Sequence, residues 1–249
     1  MKRLLIRADD LGFSEGINYG IQKSVKDGII RSVGLMPNMP AAAHGVSLLA
    51  GLPVCFGQHT NISVGRPLTD PERIPSITKE NGEFKSSREY RVAKQDFVVL
   101  DEVVLEIEAQ YRRFMELTGQ KPHYFEGHAV ASRNFFRGLQ IVAERHGLDY
   151  FELNPGGMVC FRNTRLYIHM ESMTPGYDPK RCLMNLEFHE GEREADLFVC
   201  HPGYLDAYVL KESSLTVPRA MEVEAVCSKE VREWTAARQI RLISYDDIL

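Results

Sequence analysis

Short apolar runs alternate with segments of helical periodicity along most of this 249-residue chain. The apolar runs that predict strands lie at residues 4–6, 29–36, 54–56, 123–125, 150–151, 197–200 and 240–243. The periodic segments that predict helices lie at residues 17–25, 41–49, 101–117, 135–146 and 217–237, with Ser14 as the candidate N-cap of the first. Strands that alternate with helices favour a parallel sheet with crossover helices. A count of about seven or eight strands predicts an α/β fold of the (β/α) barrel type or a distorted relative of it.

Two stretches interrupt this pattern. Residues 60–94 carry prolines, many charges and an Asn-Gly pair, and we expect them to form a lid or a substrate-binding loop, because compact domains seldom keep so long a loop without a functional reason. Residues 154–179 are rich in Gly, Pro and Met without a clear period, so no element is predicted there. Since the chain has neither an internal repeat nor a long flexible linker, residues 1–249 are predicted to form one domain.

Composition narrows the possible partners. The chain has 30 lysines and arginines against 34 aspartates and glutamates, a formal net charge of −4, which offers no basic excess for a nucleic-acid partner. The first apolar run stops at Asp9, too early for a signal peptide or a membrane span, so we expect a cytoplasmic protein with no membrane partner. The five cysteines are widely spaced without a C-x-x-C pair, which indicates free thiols rather than disulfides.

Carboxylates and imidazoles follow four of the predicted strands, which come from distant parts of the chain. In parallel α/β folds the carboxyl ends of the strands form the face where ligands bind and chemistry occurs. We therefore expect these side chains to share one rim. They are Asp9, Asp10, His59, Glu126, His128 and His201.

The residue types on this rim are those of a metal-assisted hydrolase. Of two adjacent carboxylates, Asp9 and Asp10, one can bind a metal while the other approaches an activated water. His59 and His128 complete a set of two histidines and one carboxylate that leaves positions open for water and substrate. Nitrogen and oxygen ligands suit zinc, and an open hydrated site also suits magnesium or manganese, so a divalent ion is expected and its identity stays open.

His201 lies between an apolar strand and Pro202-Gly203, a rigid setting that suits a general acid. Cys200 beside it is expected to be an inert core thiol. The chain has no G-x-S-x-G elbow and no Gly-rich phosphate loop, which argues against a serine triad and against dinucleotide or triphosphate binding. The remaining histidines are expected to be structural or solvent-facing; they are His44, His123, His146, His169 and His189.

Several short motifs, in this order and spacing, are similar to those of one family. Residues 4–12 read LLIRADDLG where the family has N-A-D-D-F-G, residues 29–32 match a V/I-T-S-like strand, and residues 57–59 match G-x-H. Residues 119–122 match a G-x-x-P segment before a histidine strand, and residues 200–203 match C-H-P-A/G. On these motifs the chain resembles the YdjC-like carbohydrate deacetylases over most of its length.

This resemblance implies a divergent TIM-like barrel with one divalent metal ion, magnesium or zinc, on Asp10, His59 and His128. It implies hydrolysis of the N-acetyl group of an amino sugar or a chitooligosaccharide. Asp9 would act as the general base toward a metal-activated water, and His201 would protonate the departing amine. The family resemblance also suggests a homodimer.

The chain departs from the family pattern at three places near the expected site, one of which is Leu11 in place of a phenylalanine. Where the family has D-S-H-x-H-x-H, residues 126–132 read EGHAVAS and keep only the first histidine, His128. Arg7 replaces an asparagine, and it is expected either to favour the ionised form of Asp9 or to bind an acidic or phosphorylated sugar. These departures leave two alternatives open: a metal-dependent phosphoesterase or lyase on the same rim, and a non-catalytic barrel that binds metal and sugar.

Overall fold

The computed structural model of the protein describes residues 1–152 and 155–248. Its strands are β1 (Arg3–Leu11), β2 (Ser32–Leu35), β3 (Cys55–Thr60), β4 (Phe125–Gly127), β5 (Met158–Phe161), β6 (Thr164–His169), β7 (Glu194–Cys200) and β8 (Arg241–Ile243). Its helices are α1 (Glu15–Lys26), α2 (Ala42–Leu48), α3 (Ser87–Val92), α4 (Leu100–Thr118), α5 (Arg133–His146), α6 (Pro179–Met184), α7 (Ala207–Glu212), α8 (Val217–Cys227) and α9 (Lys229–Ala237). No helix in these two ranges is both long and apolar enough to cross a membrane.

The strands form one curled sheet in the order β4-β3-β2-β1-β7-β6-β5. All neighbours on this path are parallel except β5 and β6, which form an antiparallel pair. The eighth strand, β8, pairs with the first residues of β1, whereas β2 pairs with the last residues of β1. The predicted α/β fold is therefore confirmed as a divergent TIM-like barrel.

Local signals in the sequence set the ends of the main helices. The Ser14 hydroxyl accepts a hydrogen bond from the backbone N–H of Ile17 at 3.2 Å, so the predicted N-cap of α1 is confirmed. Helices α4 and α5 end at Gly119 and Gly147, whose φ values of 71° and 62° lie in the left-handed region that glycine adopts without a steric penalty. These caps fix where the chain leaves each helix and returns to the sheet.

Other predictions differ from the structure. Residues 150–151 do not form a strand, and Tyr150 makes only an isolated bridge to Phe125. The helix predicted over 217–237 is two helices, because Ser228 ends α8 and caps α9 through the N–H of Val231. The stretch from residue 154 to 179, left without a prediction, contains β5 and β6; Asn154 itself lies outside the described residues. Residues 60–94 include a 3-10 turn (Pro71–Arg73) and α3.

Alternation along β1 divides its side chains between two apolar clusters. Leu4 and Ile6 pack with α1 outside the barrel, whereas Leu5 belongs to the cluster inside it that includes Tyr124 and Tyr245. Successive side chains of a strand point to opposite faces. Arg7 and Asp9 therefore follow Leu5 into the barrel interior, toward the ends of the neighbouring strands.

Candidate active site

Asp9 and Asp10 lie inside β1, not beyond its end, and regular alternation would send their side chains to opposite faces. The pairing of β1 with β2 shifts its register between Ala8 and Leu11, and Asp10 has a φ of 74°. A bulge of this kind bends the strand and re-aims a side chain. Both buried carboxylates consequently reach the same site.

The carboxylate of Asp10 and the rings of His59 and His128 meet at the carboxyl ends of the strands. Asp10 Oδ1 lies 3.4 Å from His59 Nε2 and 3.2 Å from His128 Nδ1, and the two ring nitrogens are 2.9 Å apart. Ligand atoms at about 2.1 Å from one ion are separated by about 3.0 to 3.4 Å in octahedral or tetrahedral geometry. Asp10 Oδ1 is also buried without a hydrogen-bond partner among the described residues. These three residues therefore fit a divalent cation.

Two buried groups orient the candidate ligands. Arg219 Nη2 donates to Asp10 Oδ2 at 2.8 Å, which leaves Oδ1 free to bind an ion together with the two histidines. Glu126 contacts His59 Nδ1, which turns His59 Nε2 toward Asp10. Burial raises the pKa of Asp10, but Arg219 and His128 outweigh it and hold that pKa well below its usual range. Asp10 is therefore ionised at neutral pH.

Negative charge is concentrated around His59. Burial lowers the pKa of His59, yet the carboxylates of Glu126 and Asp9 outweigh burial and raise this pKa well above its usual value. The imidazole thus lies in a field that strongly favours positive charge. The same carboxylates would attract a divalent cation to this place.

Arg7 lies beneath the site and does not line the cavity. Its guanidinium is completely buried, donates to Asp9 Oδ2 at 2.6 Å and to the Tyr245 hydroxyl at 3.3 Å, and lies 3.7 Å from Glu126 Oε2. It also packs over the ring of Tyr124. The expectation that Arg7 binds an acidic sugar is therefore corrected, because its side chain lies below Asp9 on the same face of β1, where Asp9, Glu126 and Tyr245 enclose it. Its hydrogen bond to Asp9 Oδ2 holds that carboxylate in place.

His201 directly follows β7 and is partly buried. Its Nδ1 lies 3.0 Å from the Ser172 hydroxyl, its backbone N–H donates to Glu222 at 2.7 Å, and its carbonyl accepts from Arg219 at 3.2 Å. Burial outweighs the attraction of Asp10 and lowers the pKa of His201 to about 4. The imidazole is therefore neutral near pH 7.

A cavity of about 290 Å³ opens beside these residues. One wall comes from the long connection between β3 and α4, including Ser63 in the predicted loop and Arg91 in α3. The opposite wall comes from Met170 and Met173 after β6 and from the turn that includes Ser213. Asp9, Asp10, His59, His128, His201 and Arg219 also line it. The volume is at the small end of the range for small-molecule sites.

Sequence reasoning did not assign Ser172, Arg219 or Glu222 to the site. Arg219 and Glu222 are buried charges three residues apart on α8, and that spacing on a predicted helix is the only signal the sequence offers. Glu126 was recognised at the strand end, but its contact with His59 was not predicted. Ser172 lies in residues 154–179, where the sequence has no clear period.

The histidines expected to be structural lie in other contacts. His146 bonds Glu108, and His169 and His189 both bond the buried Asp196. His123 pairs with Asp246 near Cys55, which is the first residue of β3. Among the described residues, the group of Asp10, His59 and His128 is the potential metal site that lines the cavity.

The sequence and the fold of this chain are similar to those of known proteins. The family model described as YdjC-like protein matches residues 3–237. Carbohydrate deacetylase 2 of Listeria innocua is 31% identical over 259 aligned positions, which cover 99% of this chain and 98% of the relative. Chitooligosaccharide deacetylase of Escherichia fergusonii is 29% identical over the full length of both chains.

Among solved structures, a candidate cellobiose-phosphate cleavage protein from Enterococcus faecalis V583 is similar, with a TM-score of 0.81. The two share 21% sequence identity, and the match covers 98% of each chain. Likeness at this identity supports the barrel fold.

Proposed function

Because this chain belongs to the YdjC-like protein family, we propose that it removes the N-acetyl group from an amino sugar or a chitooligosaccharide by metal-dependent hydrolysis. Two relatives that match nearly its whole length carry the names carbohydrate deacetylase and chitooligosaccharide deacetylase. The observation that carries the proposal is the convergence of Asp10, His59 and His128 beside Asp9 at the base of a small cavity.

Asp10, His59 and His128 would hold the ion, which we propose to be magnesium or zinc. A divalent cation at this place supplies a Lewis acid, which makes water more acidic and stabilises negative charge on the amide oxygen. The protein residues hold the ligands in position before the substrate arrives. Arg219 restrains the carboxylate of Asp10, and Glu126 restrains the ring of His59.

Asp9 is the proposed general base. Arg7 occupies Asp9 Oδ2, while Asp9 Oδ1 is buried without a hydrogen-bond partner among the described residues. A carboxylate with one free oxygen beside the ligand set can accept the proton of the attacking water. Its neighbour Asp10 is already engaged by Arg219, so the two adjacent carboxylates have different tasks.

His201 is the proposed proton donor to the departing nitrogen. Because the pKa of His201 is about 4, the imidazole is neutral before the reaction. Its proton must therefore be supplied during the reaction, and Asp9 is the group that holds one after water has been deprotonated. In this reaction the amide C–N bond breaks, acetate leaves, and the proton that Asp9 took from water ends on the amine.

The burial of Arg7 also bears on the alternative functions. A phosphoesterase or lyase would use an arginine at the rim to bind phosphate, but the guanidinium of Arg7 is enclosed and paired with Asp9. A deacetylase needs no such anion site in the cavity. We therefore propose the deacetylase alone.

Acetate release tests the proposal. The purified protein is stripped with a chelator, resupplied separately with zinc, magnesium, manganese or cobalt, and assayed on diacetylchitobiose and a panel of N-acetylated sugars. We expect acetate release that disappears with the ion and returns with it. If a stoichiometrically bound ion gives no acetate from any of these sugars, the non-catalytic barrel becomes the better account.

A further inference from the structure

We propose that Cys55, His123 and Asp246 form a second cation site, which takes a thiophilic divalent ion such as zinc or cobalt. One candidate ligand atom from each residue lies within 4.8 Å of the other two. Sulfur, nitrogen and oxygen ligands on one zinc ion are about 3.4 to 3.6 Å apart in tetrahedral geometry. Asp246, whose side chain is 52% exposed, can adjust its carboxylate to that spacing. The site is independent of the deacetylase function proposed above.

The three residues come from separate segments, outside the catalytic cavity. Cys55 is the first residue of β3, and His123 precedes β4, where its backbone N–H donates to the carbonyl of Phe56 at 2.9 Å. Asp246 lies in the 3-10 turn (Tyr245–Asp247) that follows β8. An ion bound here would therefore join the turn after β8 to the amino ends of β3 and β4.

A second cavity, of about 490 Å³, gives an ion access to this group. Cys55 and Asp246 both line this cavity, and its other charged residues are Asp247 and Arg31. Two carboxylates against one guanidinium leave a surplus of negative charge at its wall. The Asp246 carboxylate also contacts His123 Nδ1, so the imidazole lies next to the same opening.

The buried hydroxyl of Ser32 favours a thiolate at this position. Ser32 pairs with Cys55 between β2 and β3, and paired residues share one face of a sheet. Its hydroxyl is buried without a hydrogen-bond partner among the described residues. Burial raises the pKa of the Cys55 thiol, and the Ser32 hydroxyl acts in the opposite direction. A metal-bound thiolate would supply the acceptor that this hydroxyl lacks.

A cysteine, a histidine and an aspartate could also form a nucleophilic triad. Cys55 is only 2% exposed, and burial and the charge of Asp246 raise the pKa of its thiol. An enclosed, protonated thiol is a poor nucleophile, which argues against a triad. A cation changes this balance, because a thiol that coordinates a metal ion releases its proton to solvent. The group therefore suits metal binding better than catalysis.

The ion should bind here more weakly than on Asp10, His59 and His128. Asp246 is half exposed, whereas Asp10 is enclosed. The ion must also displace the proton of the Cys55 thiol. At ion concentrations that just fill the candidate active site, this second site therefore stays largely empty.

A cobalt titration tests the proposal. Cobalt(II) chloride is added to the chelator-stripped protein, and the near-ultraviolet band for charge transfer from sulfur to cobalt is recorded. Only an ion with a thiolate ligand produces this band, so cobalt on the candidate active site does not. We expect the band in the unchanged protein and in His128→Ala, and its loss in Cys55→Ser. In Asp246→Asn we expect the cobalt affinity of the band to fall at least about 10-fold, because an amide is a weaker ligand than a carboxylate.

Cys160→Ser is the matched control, because it removes an exposed thiol from β5 and leaves the proposed ligands intact. It should keep the band. No band in the unchanged protein at saturating cobalt, or loss of the band in Cys160→Ser, would overturn the proposal. An unchanged cobalt affinity in Asp246→Asn would also overturn it, and this half-exposed substitution gives that answer even if Cys55→Ser does not fold. None of these outcomes depends on acetate release.

Discussion

Glu126 acts on the candidate metal site without being one of its three ligands. Its carboxylate contacts His59 Nδ1, and its other oxygen lies 3.7 Å from the Arg7 guanidinium. A carboxylate behind a metal-bound histidine fixes the ring and strengthens it as a ligand. The charge of Glu126, and not only its shape, should therefore contribute to metal affinity.

The substitution Glu126→Gln keeps the size of the side chain and removes its charge. We expect the affinity for zinc, measured by calorimetry, to fall about 10- to 100-fold. Glu108→Gln is the control, because Glu108 also contacts a histidine, His146, on the surface of α4 and α5. Unchanged zinc affinity in Glu126→Gln would mean that the contact with His59 has no role in metal binding.

His201 provides a prediction about pH. Its pKa is lowered to about 4 by burial, so its ring resonances should stay constant from pH 8 to about 5 and move only below. Folding lowers this pKa from an unperturbed value of about 6.5. As the pH falls, His201 is therefore protonated in the unfolded chain at a higher pH than in the folded protein. The contribution of His201 to stability is thus present above pH 6.5 and is lost as the pH falls toward 4.

The measurement is an NMR titration of the histidine resonances without and with the divalent ion. The charge of the ion should lower the pKa further. A midpoint near 6.5 in the metal-free protein would contradict the neutral resting state and would restore a protonated imidazole as the starting acid.

At the level of elements, α8 and α1 hold the loop that follows β7. Arg219 and Glu222 of α8 bind the main chain of His201. Gly20 of α1 packs directly against Gly203, and a Cβ at residue 20 would lie 2.4 Å from the Cα of Gly203. The loop that carries His201 is therefore enclosed from two sides.

Gly20→Ala tests this close approach. Helix propensity alone would make alanine more stable by up to about 1 kcal/mol, whereas forcing a methyl group against the backbone of Gly203 costs about 1 to 3 kcal/mol. We expect the contact to dominate, so the free energy of unfolding in urea should fall. Lys26→Ala, at an exposed position of the same helix, controls for propensity. A stabilised Gly20→Ala variant would show that the loop has room to move.

The sequence predicted the elements with strong periodicity and clear caps, such as α1 after Ser14 and α4 before Gly119. It could not show that Asp10 turns inward, because that depends on a bulge between two strands distant in sequence. It also missed the break at Ser228, because apolar positions continue through both helices. A serine can continue a helix or cap the next one, and tertiary contacts decide between them.

At the scale of the whole molecule, the candidate ligands come from distant parts of the chain. Asp10 lies in β1, His59 in β3, and His128 just after β4. Their positions at strand ends could be predicted, because a parallel sheet gathers those ends on one face. The contacts of Arg219 and Ser172 could not be predicted, since they depend on how α8 and the segment after β6 return to that face.

An ion on these ligands should stabilise the folded barrel, since the unfolded chain separates them. At a free concentration of about 100 times Kd, binding adds about 2.7 kcal/mol, which corresponds to a rise in Tm of about 5 to 10 °C for a chain of this size. Calorimetric scans with chelator and with zinc measure the shift. His128→Ala should show none of it, and an equal shift in that variant would place the ion elsewhere.

The division of work between adjacent carboxylates is the central claim, and one paired measurement tests it. Asp9→Asn and Asp10→Asn are each assayed for bound metal per chain and for acetate release. We predict that Asp9→Asn keeps the ion and loses at least about 100-fold in turnover, because its amide oxygen still accepts from Arg7 but cannot act as a base. Asp10→Asn should lose both the ion and the activity. Full turnover in Asp9→Asn, or loss of the ion from it, would contradict the account.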